Sequence, residues 1–203
     1  MISIAIAVVL SAGEPVLING GVSPDGRFEV VLEADHDSPR FLEYEFKGGE
    51  EQFPALLVVH RGSRGILGRF PWPGAATETE SRLRDRTQVK WRSDGAAVAI
   101  NTRDRFYAQT LVVAHHAESG RFAAVAIPPY AELTGRPMPP DHKLRSRGRE
   151  ISIGWTDEGR LVLETWLWGE VDYPLSYRVS LRLAGGRFVV HDRGPILKGT
   201  PSW

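Results

Sequence analysis

The chain has no cysteine, no excess charge of either sign and no long apolar run. The first absence excludes disulfides and thiolate metal sites. The second follows from 25 Lys+Arg against 25 Asp+Glu. A chain of zero formal charge has no overall field to draw it to nucleic acid or an anionic membrane, so no nucleic-acid partner is expected. The longest apolar stretch, Ile2 to Leu10, is far short of the roughly 20 residues that cross a bilayer, so no membrane span is expected. Helical periodicity is nearly missing as well. The best candidate, Thr77 to Arg86, has Leu83 as its only large apolar residue and reads as a loop.

What remains is ordinary globular material: 203 residues, 42% hydrophobic and 25% charged. That is enough for one sizeable core, and all-β domains often run to roughly 200–250 residues. Ile2 to Leu10, followed by Ser11-Ala12-Gly13, fits the apolar region and cleavage zone of a secretory signal, although no Lys or Arg precedes it. It fits a buried first strand equally well, since Ile and Val favour strands. Export to the periplasm or the medium and retention in the cytoplasm therefore stand level. Residues 1–13 are read as a signal segment or first strand, and 14–203 as a single all-β domain.

Strand patterns fill the chain. In Tyr177 to Leu183, Tyr177, Val179, Leu181 and Leu183 share one face, while Arg178, Ser180 and Arg182 share the other. Such period-2 alternation marks a strand with one side in a core and one in water. Phe28, Val30 and Leu32 alternate with Glu29, Val31 and Glu33, although Val31 blurs the outer face. Leu42, Tyr44 and Phe46 alternate with Glu43 and Glu45.

An internal repeat organises these strands. Val22-Ser-Pro-Asp-Gly26, Trp91-Arg-Ser-Asp-Gly95 and Trp155-Thr-Asp-Glu-Gly159 each place an apolar residue four before a Gly and an acidic residue directly before it. Each precedes an apolar strand. Asp-Gly supplies the positive-φ position of a tight turn, and the carboxylate can accept from backbone N–H groups within it. Downstream, Leu57 to His60, Leu111 to His116 and Val179 to Leu183 each lead through a Gly-centred turn into a returning strand. Gly-Arg-Phe occurs at 120–122 and 186–188, and at 68–70 in a shifted register. The anchor glycines lie about 69 and 64 residues apart, beyond the roughly 40–45 of a standard propeller blade. Pro39 to Phe53, with a hairpin around Gly48-Gly49, and the polar, Pro-rich connections Pro71 to Gln88 and Pro128 to Glu150 account for the excess. Each unit then has four strands, in approximate ranges 16–76, 87–130 and 150–199.

Ser23-Pro-Asp-Gly-Arg27 resembles the turn between the first two strands of a blade in TolB and WD40-like β-propeller repeats. Trp91-Arg-Ser-Asp-Gly95 is similar without the Pro, Trp155-Thr-Asp-Glu-Gly159 departs further, and Ser119-Gly-Arg121 resembles the second blade turn. The resemblance covers most of the chain in outline and about a dozen residues in detail. It implies four-stranded antiparallel units in a propeller-like array. Propellers typically have 4–8 blades and this chain shows three, so the expectation is an open array, a pairing with another chain, or, as the alternative fold, a β-sandwich.

No reactive constellation stands out, so no catalytic residue, metal ligand or cofactor is assigned. Asp35-His-Asp37 cannot place three ligands on one ion unaided. His115-His116 sits at a strand end where adjacent side chains diverge. His60 ends the matching strand of the first unit. His191-Asp192 lacks a Ser in a nucleophile-elbow setting. Trp91 and Trp155 occupy equivalent repeat positions and are expected to pack between sheets.

The candidate binding residues are Trp166, Trp168 and Glu164. In Leu161 to Trp168, Leu161, Leu163, Thr165 and Leu167 share one face, and Val162, Glu164, Trp166 and Trp168 the other. Exposed, the indoles form an aromatic platform for a protein or carbohydrate ligand. Buried, the strand is interior on both faces. Charge is also segregated. Glu29 to Glu51 is acidic, and Arg136 to Arg149 is a basic lip suited to an anionic partner or a second copy in a homo-oligomer. The repeat and the resemblance point to a bacterial, exported, non-enzymatic binding or scaffold module. The alternatives are a hydrolase built from loop residues such as His36, His116, His142 and Asp192, and one part of a larger propeller assembly.

Overall fold

A computed structural model describes residues 15–33, 55–71, 87–103, 108–140, 144–169 and 175–196, with the side chains of 16, 103, 144–149, 168 and 169 outside that description. Asp35-His36-Asp37, the Gly48-Gly49 hairpin, the Leu42–Phe46 alternation, Thr77 to Arg86 and His142 also lie outside it, as does the Ile2–Leu10 run.

Among the described residues, twelve strands form three four-stranded antiparallel sheets, as the repeat leads one to expect. The first holds β1 (Val16–Val22), β2 (Phe28–Leu32), β3 (Leu56–His60) and β4 (Ile66–Phe70). The second holds β5 (Thr87–Trp91), β6 (Ala97–Arg103), β7 (Ala108–His116) and β8 (Arg121–Val125). The third holds β9 (Leu144–Trp155), β10 (Leu161–Gly169), β11 (Ser176–Ala184) and β12 (Arg187–Pro195). Within each sheet the strands pair in chain order.

The second sheet lies between the other two and supplies both cores. One of its faces (Val98, Ile100, Val113, Phe122) packs on Phe28, Val30, Leu32, Leu56 and Val58 of the first sheet. Its other face (Ala97, Ala99, Val112, Ala114, Val125) packs on Leu161, Leu163, Val179, Leu181 and Phe188 of the third. Burial of each large aliphatic side chain here contributes roughly 1.5–3 kcal/mol. The small residues Ala97 and Ala99 let the third sheet approach closely.

The same polar device joins both seams. Trp91 Nε1 donates to the Gly21 carbonyl at 2.9 Å, and Trp155 Nε1 donates to the Lys90 carbonyl at 2.9 Å. In each case the tryptophan closing the first strand of one sheet reaches the penultimate residue of the first strand of the sheet before it. These tryptophans do pack between sheets, and they also fasten them. A second bond spans the later seam, where Asn101 Nδ2 donates to the Ser152 carbonyl and Asn101 Oδ1 accepts from Ser152 N–H, Ser152 O–H and Thr110 O–H.

The three repeat turns are built as the sequence suggests, but the third closes one residue earlier. Ser23 N–H donates to the Phe28 carbonyl and Arg92 N–H to the Ala97 carbonyl, whereas Thr156 N–H donates to the Arg160 carbonyl. Trp91 therefore pairs with Val98, but Trp155 pairs with Leu161. One residue reverses the phase of a strand. Leu161 and Leu163 point back to the second sheet, and Val162 and Glu164 point away from it.

The structure refines four readings. The connection Pro128 to Glu150 is not all loop: it contains α1 (Tyr130–Thr134), started after Pro129 and stopped by Gly135 at φ 68°, with Leu133 buried in the second core. The third unit starts at Leu144 rather than near 150. β2 is buried on both faces, because Val31 packs with Leu57 and Val59 on the outward side of the first sheet. Gly68-Arg-Phe70 ends a strand, whereas Gly120-Arg-Phe122 and Gly186-Arg-Phe188 lead into one.

Candidate functional site

The outward face of the third sheet, turned away from the second core, carries the candidate residue Glu164. Register places its neighbours. Glu164 stands opposite Arg178 on β11 and Ile151 on β9, Val162 opposite Ser180, and Ser180 opposite Asp192 on β12. Directly opposed residues share a face, so this side of the sheet is a row of Val162, Glu164, Arg178, Ser180 and Asp192.

Its chemistry is incomplete. Arg178 Nε and Nη2 both donate to Oε1 of Glu164, at 3.0 and 2.5 Å. Glu164 is 2% exposed, yet its Oε2 has no hydrogen-bond partner, and neither has the buried Ser180 Oγ. Among the described residues these are the two buried side-chain polar atoms left without a partner, and both lie on this face. Buried polar atoms are normally paired, so an exception asks for a missing partner. Beside them a groove of about 510 Å³ is walled by Thr156, Val162, Arg178, Ser180, Asp192, Gly194, Pro195 and Ile196. It offers a cation, a carboxylate, two hydroxyls and an apolar floor.

The other sequence candidates fall as follows. Trp166 is 8% exposed and packs with Ala108 and Ile151, so its ring offers no open platform. Trp168 belongs to β10, but its indole lies outside the described side chains. The strand is interior at Leu161, Leu163, Thr165 and Leu167 as well. His116, at the end of β7, is exposed on the second sheet, whereas Asp192 lies on the third. His60 and His115 both pack on the Phe28 ring, which accounts for their recurrence at strand ends. Of the acidic stretch, Glu29 is buried and ion-paired with Arg61 and Arg64, and Glu33 with Arg69. Among the described residues no group of three or more His, Asp or Glu could hold a metal ion, and no helix is long and apolar enough to cross a membrane.

A larger groove of about 630 Å³ lies between β1 and β5, walled by residues 17–22 with Thr87 and Gln88, none of them charged. The third-sheet face is the better candidate because its polar groups are unsatisfied.

Arg178 and Ser180 were legible in the sequence only as the wet side of an alternating strand. The pairing of β10 with β11, which brings them against Glu164, is what gives them a site. No family model matches this chain, and no curated protein matches it.

Proposed function

We propose that the chain is a non-enzymatic, propeller-like binding or scaffold module whose binding surface is the outward face of the third sheet. The observation that carries this reading is the coincidence, on one face, of unpartnered Glu164 Oε2 and Ser180 Oγ with the groove beside them. The resemblance of Ser23 to Arg27 to a propeller-blade turn and the repeated Trp-to-carbonyl bond between successive sheets support the architectural part. A protein surface is the favoured ligand over a carbohydrate. The groove is shallow and mixed in polarity, and Trp166, the indole that would stack on a sugar, is buried.

The test is selection of random displayed peptides on the immobilised chain. Binders are expected to lose at least about tenfold in affinity, roughly 1.4 kcal/mol, when Ser180 is changed to Arg. A library that yields no binder on monomeric chain, or only binders indifferent to Ser180→Arg, overturns the reading.

A further inference from the structure

The face described above is self-complementary, and we propose that its partner is a second copy of this chain, docked about a two-fold axis. The inference rests on the reading of that face as the binding surface. A two-fold contact brings the same patch from each copy together, so the patch must carry both halves of every interaction. This one does. Arg178 is a cation whose side chain is 59% exposed, and it stands in one row with the carboxylates of Glu164 and Asp192. Arg178 satisfies Oε1 of its own Glu164 and leaves Oε2 without a donor. Across the axis the exposed Arg178 of each copy faces the exposed Asp192 of the other, and a charge-assisted bond is among the stronger polar contacts. Ser180, between Val162 and Asp192, lies along the same groove.

Two further observations favour a like partner and this symmetry. The formal net charge is zero, so two copies approach without mutual repulsion. The competing arrangement, third sheet against the first sheet of the next copy, needs the outward face of the first sheet. There Val31, Ala55, Leu57 and Val59 are only 1–4% exposed, so that surface is already closed. Val22 also stands where Trp91 and Trp155 provide the seam-fastening indole in the later sheets. The face-to-face dimer uses neither.

Size-exclusion chromatography with light scattering on the full chain, from about 1 to about 100 µM, tests this. The mass is expected to rise from the 22.5 kDa of one chain to twice that value. Ser180→Arg and Val162→Glu are each expected to raise the dimer dissociation constant at least about tenfold while melting as the wild type does. Leu17→Glu, at the other groove, is expected to leave it unchanged. Raising the salt from about 0.05 to about 0.5 M is expected to weaken the dimer, because part of the attraction is between charges. A wild-type chain that stays monomeric overturns the inference. So does a dimer that persists in both face variants. Monomeric chain together with peptides that lose affinity for Ser180→Arg separates the two claims: the face then binds protein, but not a second copy.

Discussion

Asp25 in the first repeat turn lies against Gly95 in the second: a Cβ built on Gly95 meets the Asp25 carboxylate at 3.0 Å. The next turn repeats the relation, since a Cβ on Gly159 meets Arg92 Cδ at 3.3 Å. The repeat glycines thus do two jobs. They hold positive φ within their own turn, and they leave room for the turn before them.

Changing Gly95 to Ala separates these jobs when it is compared with Gly120→Ala. Gly120 has φ 66° and open space around it, whereas Gly95 has φ 69° and the carboxylate. Left-handed backbone strain alone costs about 1–2 kcal/mol for a residue with a Cβ. Gly120→Ala is expected to lose about that much in urea unfolding, and Gly95→Ala distinctly more. Equal losses contradict a packed contact between turns.

Asn101 is expected to be among the most sensitive polar positions. Its Oδ1 accepts from Ser152 Oγ at 2.7 Å, Thr110 Oγ1 at 2.8 Å and Ser152 N at 3.0 Å, and the residue is 3% exposed. Asn101→Leu keeps the size but removes the Asn101 partner of the buried Ser152 hydroxyl and carbonyl, while the Ser152 N–H keeps Thr110 Oγ1. The expected loss is about 2–4 kcal/mol by chemical denaturation. A loss under about 1 kcal/mol means the Asn101 bonds add little to a seam held by apolar contact and the Trp155–Lys90 bond.

Much of this fold was legible because its signals are local. Alternation over Tyr177 to Leu183 fixed which side of β11 is buried, and the Asp-Gly turns fixed where strands reverse. α1 carries local signals, Pro129 ahead of it and Gly135 behind, but it is one short turn inside a polar, Pro-rich connection with too few apolar residues to show helical periodicity. The rest depended on contacts far apart in sequence. Period-2 patterning says that Glu164 shares a side with Val162 and Trp166, but not whether that side is covered. The early closure of the third turn decided which face of β10 met the second core, and nothing in Asp157-Glu-Gly159 announces it. A glutamate on a strand reads as solvated. Here it sits beneath Arg178, a residue 14 positions away.

Acid is expected to weaken the first turn as pH falls below the ordinary range of Asp25. The Arg27 backbone N–H, with the Ser23 hydroxyl and the Arg27 guanidinium, holds the Asp25 carboxyl down at about 2, against an ordinary 3.8. A folded-state value below the unfolded one gives stability that is fully present above 3.8 and is lost as pH falls towards 2. Asp25→Asn is therefore expected to be less stable than the wild type at neutral pH and to converge with it at the acid end. Denaturant midpoints measured across that window check it. A constant gap between the two proteins contradicts the assignment, and because Asp25 is solvent-exposed the gap should be small.

Glu150 should behave in the opposite sense. It lies on β9 at the seam between the second and third sheets, where its own backbone carbonyl accepts from Thr110. Burial raises its carboxyl above the ordinary 4.5. A raised folded-state value means the native protein holds the proton more tightly than the unfolded chain does. Stability is therefore full at pH below 4.5 and falls as pH rises through the folded value, after which the cost of the ionised form stays constant. Glu150→Gln replaces the carboxyl with a neutral group of nearly the same shape. The variant is expected to match the wild type in acid and to exceed it at pH 7 and above, with the difference opening only over the titration of this one group. Denaturant midpoints of both proteins from acid to mildly alkaline pH measure it. If Glu150→Gln is less stable than the wild type at neutral pH, the carboxylate is making a favourable contact across the seam, and burial is not what governs its proton.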